Sequence, residues 1–219
     1  MRISLKSMIF SAMLLLLVLS LFNRSFNLSF EKSKEKNSFV NEDIIPICCA
    51  WGPELQKGVL NYSIQDESGD KKNADAVTKA AEKWNENLNG IQLLKTTAPT
   101  GNENILISFI NDGKQVAGKT TNSIDSNGFI RKSYITLSKE YFKHPFSNSQ
   151  LEQVAEHEFG HVLGLNHANF NGNLMTGQVE KGSNTISPCV IEAVNVANAW
   201  KLKEGGVSIH GPTKAFVTC

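Results

Sequence analysis

Segments in which apolar and polar residues alternate occupy much of the chain between residues 58 and 138. A period of two predicts a strand with one buried face. GVLNYSI (58–64) alternates in this way. Four further segments are predicted to be short strands: IQLLK (91–95), NILISFI (104–110), VAGKTTNS (116–123) and FIRKSYITLS (129–138). The turn residues IDSNG stand between the last two segments, which we therefore predict to be a connected pair of strands.

Other segments have the helical period, in which residues three and four apart share a face. The first, NADAVTKAAEKWNENLNG (73–90), places four apolar residues on one side, and Gly90 predicts its end. These apolar residues are Val77, Ala81, Trp84 and Leu88. A second helix is predicted over 147–165, where Ser149 and Glu152 have the spacing of a capping box.

A third helix is predicted to begin with Ser187 as its N-cap and Pro188 at its first helical position. The elements therefore follow in the order strand, helix, four strands, helix, irregular turn and helix. This order favours an α+β fold in which helices pack on a mixed sheet.

The N-terminus has the pattern of an export signal rather than of a folded element. Arg2 and Lys6 precede the apolar run Met8–Phe22, which at about 15 residues is shorter than the roughly 20 of a spanning helix. We predict that residues 1–25 are a signal peptide. Because no clear small-x-small cleavage site follows the run, an uncleaved signal anchor is the alternative.

Residues 26–46 are polar and charged, which is typical of a flexible tether or a short pro-segment. The remainder, 47–219, is long enough for one domain with a core of its own. Lys and Arg number 22 against 21 Asp and Glu, giving a net charge of +1, and no basic stripe is present, so nucleic acid is not an expected partner. We expect an extracellular protein, either secreted or held at the outer face of a membrane by its N-terminal anchor.

Four cysteines, Cys48, Cys49, Cys189 and Cys219, suit an exported protein with two disulfides. Adjacent cysteines rarely bond to each other. We therefore expect Cys48 and Cys49 each to pair with one of the other two, an arrangement that would join the start of the domain to its end. The sequence does not decide which cysteine pairs with which.

The segment HEFGHVLGLNH (157–167) holds three of the five histidines in the chain. His157 and His161 are four residues apart, so on a helix their imidazoles share a face and converge on one point. Gly164 can adopt the left-handed conformation that ends a helix, which lets the chain turn back and bring His167 to the same point. Three neutral imidazoles leave one position of a tetrahedral zinc open, as in a catalytic site.

Glu158 follows the first of these histidines and lies about 100° further round the helix, so it is not expected to be a ligand. It would lie beside the open position, where zinc lowers the pKa of a bound water from about 15.7 towards 7. We therefore predict that Glu158 is the catalytic base, which takes a proton from this water and passes it to the leaving amine.

This pattern resembles the zinc site of the metzincin metalloproteases. The residues that carry the resemblance are His157, Glu158, His161, Gly164 and His167. A second mark is Met175 in GNLMTG, eight residues after the last of these histidines, which is similar to the spacing of the methionine turn beneath the zinc in matrixins. The wider layout, from AWGPELQKGVLNYSI (50–64) to the third helix, resembles the catalytic domain of the matrix metalloproteinases.

The resemblance implies a twisted, mixed, mostly parallel sheet of five strands with three helices, in which the active-site helix is followed by the methionine turn. It also implies that residues 47–219 are a zinc endopeptidase acting on extended polypeptides. VAGKTTNS (116–123) would be the edge strand above the cleft, to which a substrate adds as one more strand. Residues 176–184 would form a wall of the pocket for the substrate side chain just past the scissile bond. The alternative is a catalytically silent peptide-binding module with the same fold, although such a module has no need of Glu158.

The sequence also departs from the matrixin pattern. Ala168 stands where matrixins have serine after the third ligand. Matrixins hold a second, structural zinc with further histidines before the catalytic helix, and only His144 is available there, so we predict one zinc. His144 and His210 are expected to be plain surface residues.

Two other features allow a second interpretation. Asp125 and Asn127 in DSNG make calcium a weaker candidate, because the same residues are typical of an ordinary turn. Cys48 or Cys49 could instead be a thiol that blocks the zinc and keeps the enzyme inactive. Disulfides are favoured over this switch because the surrounding PICCAW lacks the switch motif of the family.

Overall fold

The computed structural model describes residues 42–55, 57–66, 69–110, 116–141, 144–177, 185–199, 212 and 214–219. The predicted signal at 1–25, most of the predicted tether at 26–46 and His210 lie outside the described residues. The folded unit begins at Glu42, somewhat before the predicted boundary at 47. Ile45 accounts for the difference, because it is fully buried in a strand of only three residues, too short to show a period in the sequence.

The sheet strands follow the alternating segments closely. The described strands are β1 (Ile44–Pro46), β2 (Ala50–Trp51), β3 (Val59–Gln65), β4 (Gln92–Lys95), β5 (Ile105–Ile110), β6 (Gly118–Ile124), β7 (Phe129–Ser138), β8 (Glu140–Tyr141), β9 (His144–Pro145) and β10 (Phe216–Thr218). The five predicted strands correspond to β3 through β7, and their bounds agree to within two residues. The other strands are two or three residues long, too short to show a period.

Strands β4, β3, β5, β7 and β6 lie side by side in that order. The first four run parallel to their neighbours, and β6 runs antiparallel to β7. This confirms the mostly parallel sheet of five strands, to which the short β2 adds a parallel pairing at the start of β7. Strands β1 and β10 form a separate antiparallel pair, as do β8 and β9.

The described helices are α1 (Lys71–Asn87), α2 (Asn148–Val162) and α3 (Pro188–Ala197). In α1 the side chain of Asp70 caps the helix by accepting a hydrogen bond from the backbone N–H of Lys72 at 2.9 Å. Helix α3 begins as predicted, with Ser187 as N-cap and Pro188 in its first turn. Within the described residues, none of the helices combines the length and the apolar composition of a membrane span.

Helix α2 begins two residues earlier than the predicted capping box. Ser147 rather than Ser149 is the N-cap, and its reciprocal partner is Gln150. Both serines satisfy the capping-box pattern in the sequence. Capping by Ser147 puts the apolar residues Phe146 and Leu151 at the two positions that staple the first turn, whereas capping by Ser149 would put polar residues there.

The core lies where α1 and α2 pack on the sheet. Its largest fully buried side chains include Trp51, Trp84, Tyr62 and Phe159. Both indole N–H groups bind backbone carbonyls of α2: Trp84 donates to Glu156 at 2.9 Å and Trp51 donates to Val162 at 2.8 Å. Since these bonds lie at the middle and the end of α2, they fix the histidine-bearing helix against the core.

The disulfide prediction was wrong, because the pairs are Cys48–Cys49 and Cys189–Cys219. The backbone N–H of Cys219 donates to Asp43 at 2.7 Å, so the C-terminus lies beside the start of β1. From there to Cys48 the chain runs five residues, about 16 Å if extended, which is beyond the roughly 7 Å that a disulfide spans. Cys189 in the first turn of α3 lies next to Cys219, with the two Cα atoms 5.6 Å apart, and the two adjacent cysteines pair with each other.

Candidate metal centre

The three predicted ligands come from one helix and the turn that follows it. His157 and His161 lie on the last turns of α2, one turn apart. The helix ends at Val162 with Leu163 as its C-cap, and Gly164 follows with a φ of +99°. A side chain at Gly164 would also collide with the backbone carbonyl of Cys49, so glycine is required here both for the conformation and for the close approach. Beyond this turn the chain brings His167 back towards the helix.

The rings of the three histidines converge. The ring centroids are separated by 4.7 Å for His157 and His161, 4.8 Å for His161 and His167, and 5.3 Å for His157 and His167. One nitrogen from each ring lies within 4.8 Å of the others, so the three can bind a single metal ion.

Hydrogen bonds determine which nitrogen of each helical histidine faces the centre. The Nδ1 atom of His157 lies 2.6 Å from the carbonyl oxygen of Leu174, and that of His161 lies 2.7 Å from the carbonyl oxygen of Leu165. A carbonyl oxygen only accepts, so each Nδ1 carries the proton and each Nε2 presents a lone pair. In metal sites, a hydrogen bond from the ring nitrogen that does not bind the metal orients each histidine ligand in this way.

The two Nε2 atoms of His157 and His161 lie only 3.1 Å apart. With both protons on Nδ1, neither Nε2 can donate to the other, and two lone pairs face each other. A bound cation would relieve this repulsion by accepting both lone pairs. The donor set, three imidazole nitrogens, is one that zinc prefers, so the residues present fit the metal.

Burial keeps the imidazoles of His157 and His161 in the form that binds metal. It lowers the pKa of His157, and it lowers the pKa of His161 to about 4, helped by the neighbouring His157. A neutral imidazole is the ligand form. The helical histidines are therefore already deprotonated at neutral pH, and the metal displaces no proton from them.

Glu158 lies beside the histidines and not among them. Its side chain is buried, and burial raises the pKa of its carboxyl to about 7, opposed by a hydrogen bond from Thr120. The Thr120 hydroxyl donates to Oε2 of Glu158 at 2.6 Å. A buried carboxyl group at the mouth of a histidine cluster, held by one donor, is suited to accept and release a proton.

Met175 lies in a turn and is fully buried against α2. Its sulfur contacts Gly160, where any side chain would collide with it. Asn173 shapes the turn by accepting a hydrogen bond from the backbone N–H of Met175 at 2.8 Å, and the carbonyl of Met175 in turn accepts from the backbone of Ala168 at 2.8 Å. Because Leu174 in the same turn binds the ring of His157, the turn supports the metal centre directly.

A cleft opens over this centre. One wall is β6, and the other is formed by α2 and the turn after it. Its lining includes Val116, Lys119, Thr120, Gln150, His157, Glu158, His161 and His167. Strand β6 overlaps the predicted edge strand VAGKTTNS (116–123). It pairs with β7 alone among the described strands, so its other edge faces the cleft. Of the predicted pocket wall at 176–184, residues 178–184 lie outside the described residues.

The sequence did not point to three residues of β6 that contact α2. Thr120 binds Glu158, Asn122 donates from Nδ2 to the carbonyl of His161 at 2.9 Å, and Gly118 leaves room for Glu158. A signal was present, since the residues of this strand that alternate with Lys119 and Thr121 are Gly118, Thr120 and Asn122, none of them a large apolar residue. Such a face predicts contact with polar groups rather than with a core.

Other candidates lie apart from the centre. His144 is exposed on β9. The carboxylate of Asp125 accepts from the backbone N–H groups of Asn127 and Phe129 and from Arg131, the last at 2.9 Å. Both oxygens of Asp125 are thus used by the turn and by a side-chain cation, and the turn interpretation accounts for them without calcium. All four cysteines are paired in disulfides, so the structure has no thiol to act as the proposed switch.

A helix with two histidines and a glutamate between them, packed beside a sheet with an antiparallel edge strand, is typical of zinc metallopeptidases. Residues 51–190, more than half of the chain, match the model of the matrixins. The chain belongs to the matrixin family of peptidases.

Individual relatives are distant. The interstitial collagenase of Equus caballus is 29% identical over 153 residues, which are 62% of this chain and 32% of the collagenase. The chain thus spans about a third of the length of that relative. Two structures of myroilysin align at 15% identity: one with a TM-score of 0.39 covers 57% of this chain and 54% of the myroilysin chain, and the other with a TM-score of 0.38 covers 54% and 47%.

Proposed function

We propose that this chain is a zinc endopeptidase that cleaves extended polypeptides outside the cell, either secreted or tethered to the cell surface. The observation that carries the proposal is the convergence of three imidazoles next to a buried carboxyl group, Glu158, at the floor of an open cleft. Membership of the matrixin family supports peptide bonds as the target.

His157, His161 and His167 would hold the metal. Bound there, zinc supplies Lewis acidity, which polarises the substrate carbonyl and makes water acidic enough to attack at neutral pH. The protein supplies the geometry: the hydrogen bonds from Nδ1 of the two helical rings to backbone carbonyls fix the direction of both Nε2 atoms. Preformed ligands of this kind need little rearrangement to bind.

Glu158 acts as the general base. Its carboxylate accepts a proton from the attacking water and gives it to the nitrogen of the leaving amine, so the carboxylate is regenerated in each cycle. Its position on α2, one residue after His157, would keep it beside a bound metal without making it a ligand.

The substrate binds in extended form along β6. The edge of this strand that faces the cleft offers backbone N–H and C=O groups to one more strand, which would bring a peptide bond over the histidines. Such binding depends mainly on the backbone of the substrate. Selection among side chains falls to the pocket that receives the substrate residue directly after the scissile bond.

Export is supported by two independent features. Residues 1–25 have the pattern of a secretion signal. The folded unit contains the disulfide Cys189–Cys219, which joins α3 to β10, and such bonds persist in oxidising compartments. Export also fits a protease whose substrates lie outside the cell that makes it.

The test is the variant Glu158→Ala. We expect it to keep one zinc per chain, as measured by elemental analysis, and to lose cleavage of a peptide library by a factor of about 10² or more. His144→Ala is the matched control, because His144 is exposed and lies outside the cleft. It should retain both zinc and activity.

Two outcomes would contradict the proposal. Cleavage by Glu158→Ala at the rate of the unaltered protein would remove Glu158 from the mechanism. A zinc-loaded, unaltered protein that cuts neither denatured protein nor any library peptide would favour the silent peptide-binding module instead.

A further inference from the structure

The strand that borders the cleft has two different faces. In β6 the half-buried residues Gly118, Thr120 and Asn122 alternate with the exposed residues Lys119 and Thr121. The half-buried residues face α2, and each meets a polar group there. This edge strand therefore contacts the catalytic helix through polar atoms, where a sheet ordinarily packs apolar side chains against a helix.

Thr120 makes the closest of these contacts. Its Oγ1 lies 2.6 Å from Oε2 of Glu158 and 3.2 Å from the backbone carbonyl of the same residue. A threonine hydroxyl has one proton to donate. The shorter contact, to a group that can be ionised, is the stronger hydrogen bond, so Thr120 chiefly holds the carboxylate.

Gly118 acts on the other oxygen of Glu158. A Cβ atom at this position would lie 2.5 Å from Oε1 of Glu158 and 2.8 Å from Cγ1 of Val154. Oε1 can occupy its place only because residue 118 has no side chain. One carboxylate oxygen is thus held by a donor while the other has a space kept open for it.

The same residues present their backbone to the cleft. The backbone N–H of Ser138 donates to the carbonyl of Ala117 at 2.9 Å, so these two opposed residues form a hydrogen-bonded pair of the antiparallel ladder. Hydrogen-bonded and non-bonded pairs alternate along such a ladder. The backbone N–H and C=O groups of Gly118, Thr120 and Asn122 therefore point away from β7, towards the open edge.

We propose that Thr120, together with Gly118, is a positioning residue for the general base: it fixes the carboxylate of Glu158 from the strand on which the substrate binds. The inference rests on the proposed function, in which Glu158 takes the proton of the attacking water. Substrate binding and the orientation of the general base would then both depend on β6. A peptide that pairs with the backbone of Thr120 also stiffens the residue that holds Glu158.

The test uses three variants of adjacent threonines in the full chain loaded with zinc. Thr120→Val keeps the shape of the side chain and removes the hydroxyl, Thr120→Ser restores the hydroxyl, and Thr121→Val is the matched control on the exposed face. We expect Thr120→Val to lower kcat about tenfold, the loss of one hydrogen bond to a charged group, with KM within about twofold of the unaltered protein. Thr120→Ser should recover most of kcat, and Thr121→Val should change neither constant.

A second readout does not depend on activity. Crystal structures of Thr120→Val and Thr121→Val should show the carboxylate of Glu158 displaced or in two rotamers only in the former. Zinc content and melting temperature should be equal in both variants. Gly118→Ala tests the other half of the inference, because its methyl group should push Oε1 of Glu158 from its place and lower kcat with the zinc retained.

The outcomes separate the two proposals. If the unaltered protein cleaves peptides and Glu158→Ala does not, but Thr120→Val matches Thr121→Val in kcat and in the rotamer of Glu158, the positioning role is refuted and the proposed function stands. If Glu158→Ala is as active as the unaltered protein, the proposed mechanism fails, and the positioning role fails with it.

Discussion

The helix and the loop after it hold their histidines by different means. His157 and His161 are half-buried on α2, and a backbone carbonyl binds the Nδ1 of each ring. His167 is exposed, and among the described residues none makes a hydrogen bond with its ring. The helix thus supplies two ligands that are aligned before the metal binds, whereas the third ligand depends on the position of its loop.

The loop is held by the first residues of the folded unit. The backbone N–H of Cys48 donates to Gly164 at 2.9 Å, and that of Asn166 donates to Pro46 at 2.8 Å. Asn169 accepts from the backbone N–H of Ile44 at 2.7 Å. A ligand on a helix is placed by local geometry, and a ligand on a loop is placed by segments far away in the sequence. The two kinds of ligand should therefore respond differently to substitution.

The largest expected effects come from removing the ligands themselves. His161→Ala should lose stoichiometric zinc, since it leaves one helical ligand and one loop ligand. His167→Ala should weaken zinc binding by more than the roughly 10- to 100-fold typical of losing a hydrogen-bond partner of a ligand. The loss should still be smaller than in His161→Ala, because the aligned pair on α2 remains. Zinc affinity, measured by competition with a chelator of known affinity, checks the order, with His144→Ala as the control.

Equal losses of affinity in His161→Ala and His167→Ala would contradict this comparison. They would mean that the prior alignment of the helical rings contributes nothing to binding. A greater loss in His167→Ala would mean that the loop, and not the helix, is the better-ordered part of the site.

The sequence predicted the helix side of this comparison well. The spacing of His157 and His161 and the adjacent Glu158 follow from helical geometry, which depends only on residues close in the chain. The convergence of His167 was also predicted, because Gly164 is a local signal for a helix end. Strands β3 to β7 and the three helices were predicted for the same reason, since apolar patterns, caps and turn residues lie within the segments themselves.

The loop side could not be predicted in the same way. β1 and β10 are short, with too few residues to show a period, and their pairing joins the two ends of the folded unit. The disulfide pattern follows from that pairing, which places Cys219 beside Asp43 and Cys189, far from Cys48. The contact between Thr120 and Glu158 likewise joins residues 38 apart in the chain, and local patterns carry little information on such contacts.

An intermediate effect is expected from Gly164→Ala, which acts on the junction between helix and loop. The positive φ and the collision with the carbonyl of Cys49 should lower the free energy of unfolding by about 2 kcal/mol or more, a fall in melting temperature of about 4 to 8 °C. Zinc affinity should fall too, because the turn ahead of His167 must move.

Gly172→Ala separates the two causes. Gly172 lies in the same loop with a φ of +76°, but a Cβ there would meet nothing within 4 Å. We expect Gly172→Ala to lower the free energy of unfolding by about 1 kcal/mol, from the positive φ alone, and to leave zinc affinity unchanged. If Gly172→Ala destabilised the protein as much as Gly164→Ala, the close approach to Cys49 would have no energetic weight.

The smallest effect should come from Asn169→Ala, which loosens the loop without touching a ligand. The variant loses the bond from Ile44 and a second bond, in which Nδ2 of Asn169 donates to the carbonyl of Glu42 at 3.0 Å. It keeps the bond from its own backbone N–H to Ile44. Because these bonds are exposed, we expect a loss of about 1 kcal/mol in the free energy of unfolding and a fewfold weaker affinity for zinc.

Asn171→Ala is the matched control for this variant, since Asn171 is an exposed asparagine of the same loop. Thermal unfolding and chelator competition should distinguish the two variants. If Asn169→Ala and Asn171→Ala bind zinc equally tightly, the side-chain bonds to the start of the folded unit do not position His167. The backbone bonds from Cys48 and Asn166 would then hold the loop, and they remain in both variants because substitution at 169 or 171 removes none of their atoms.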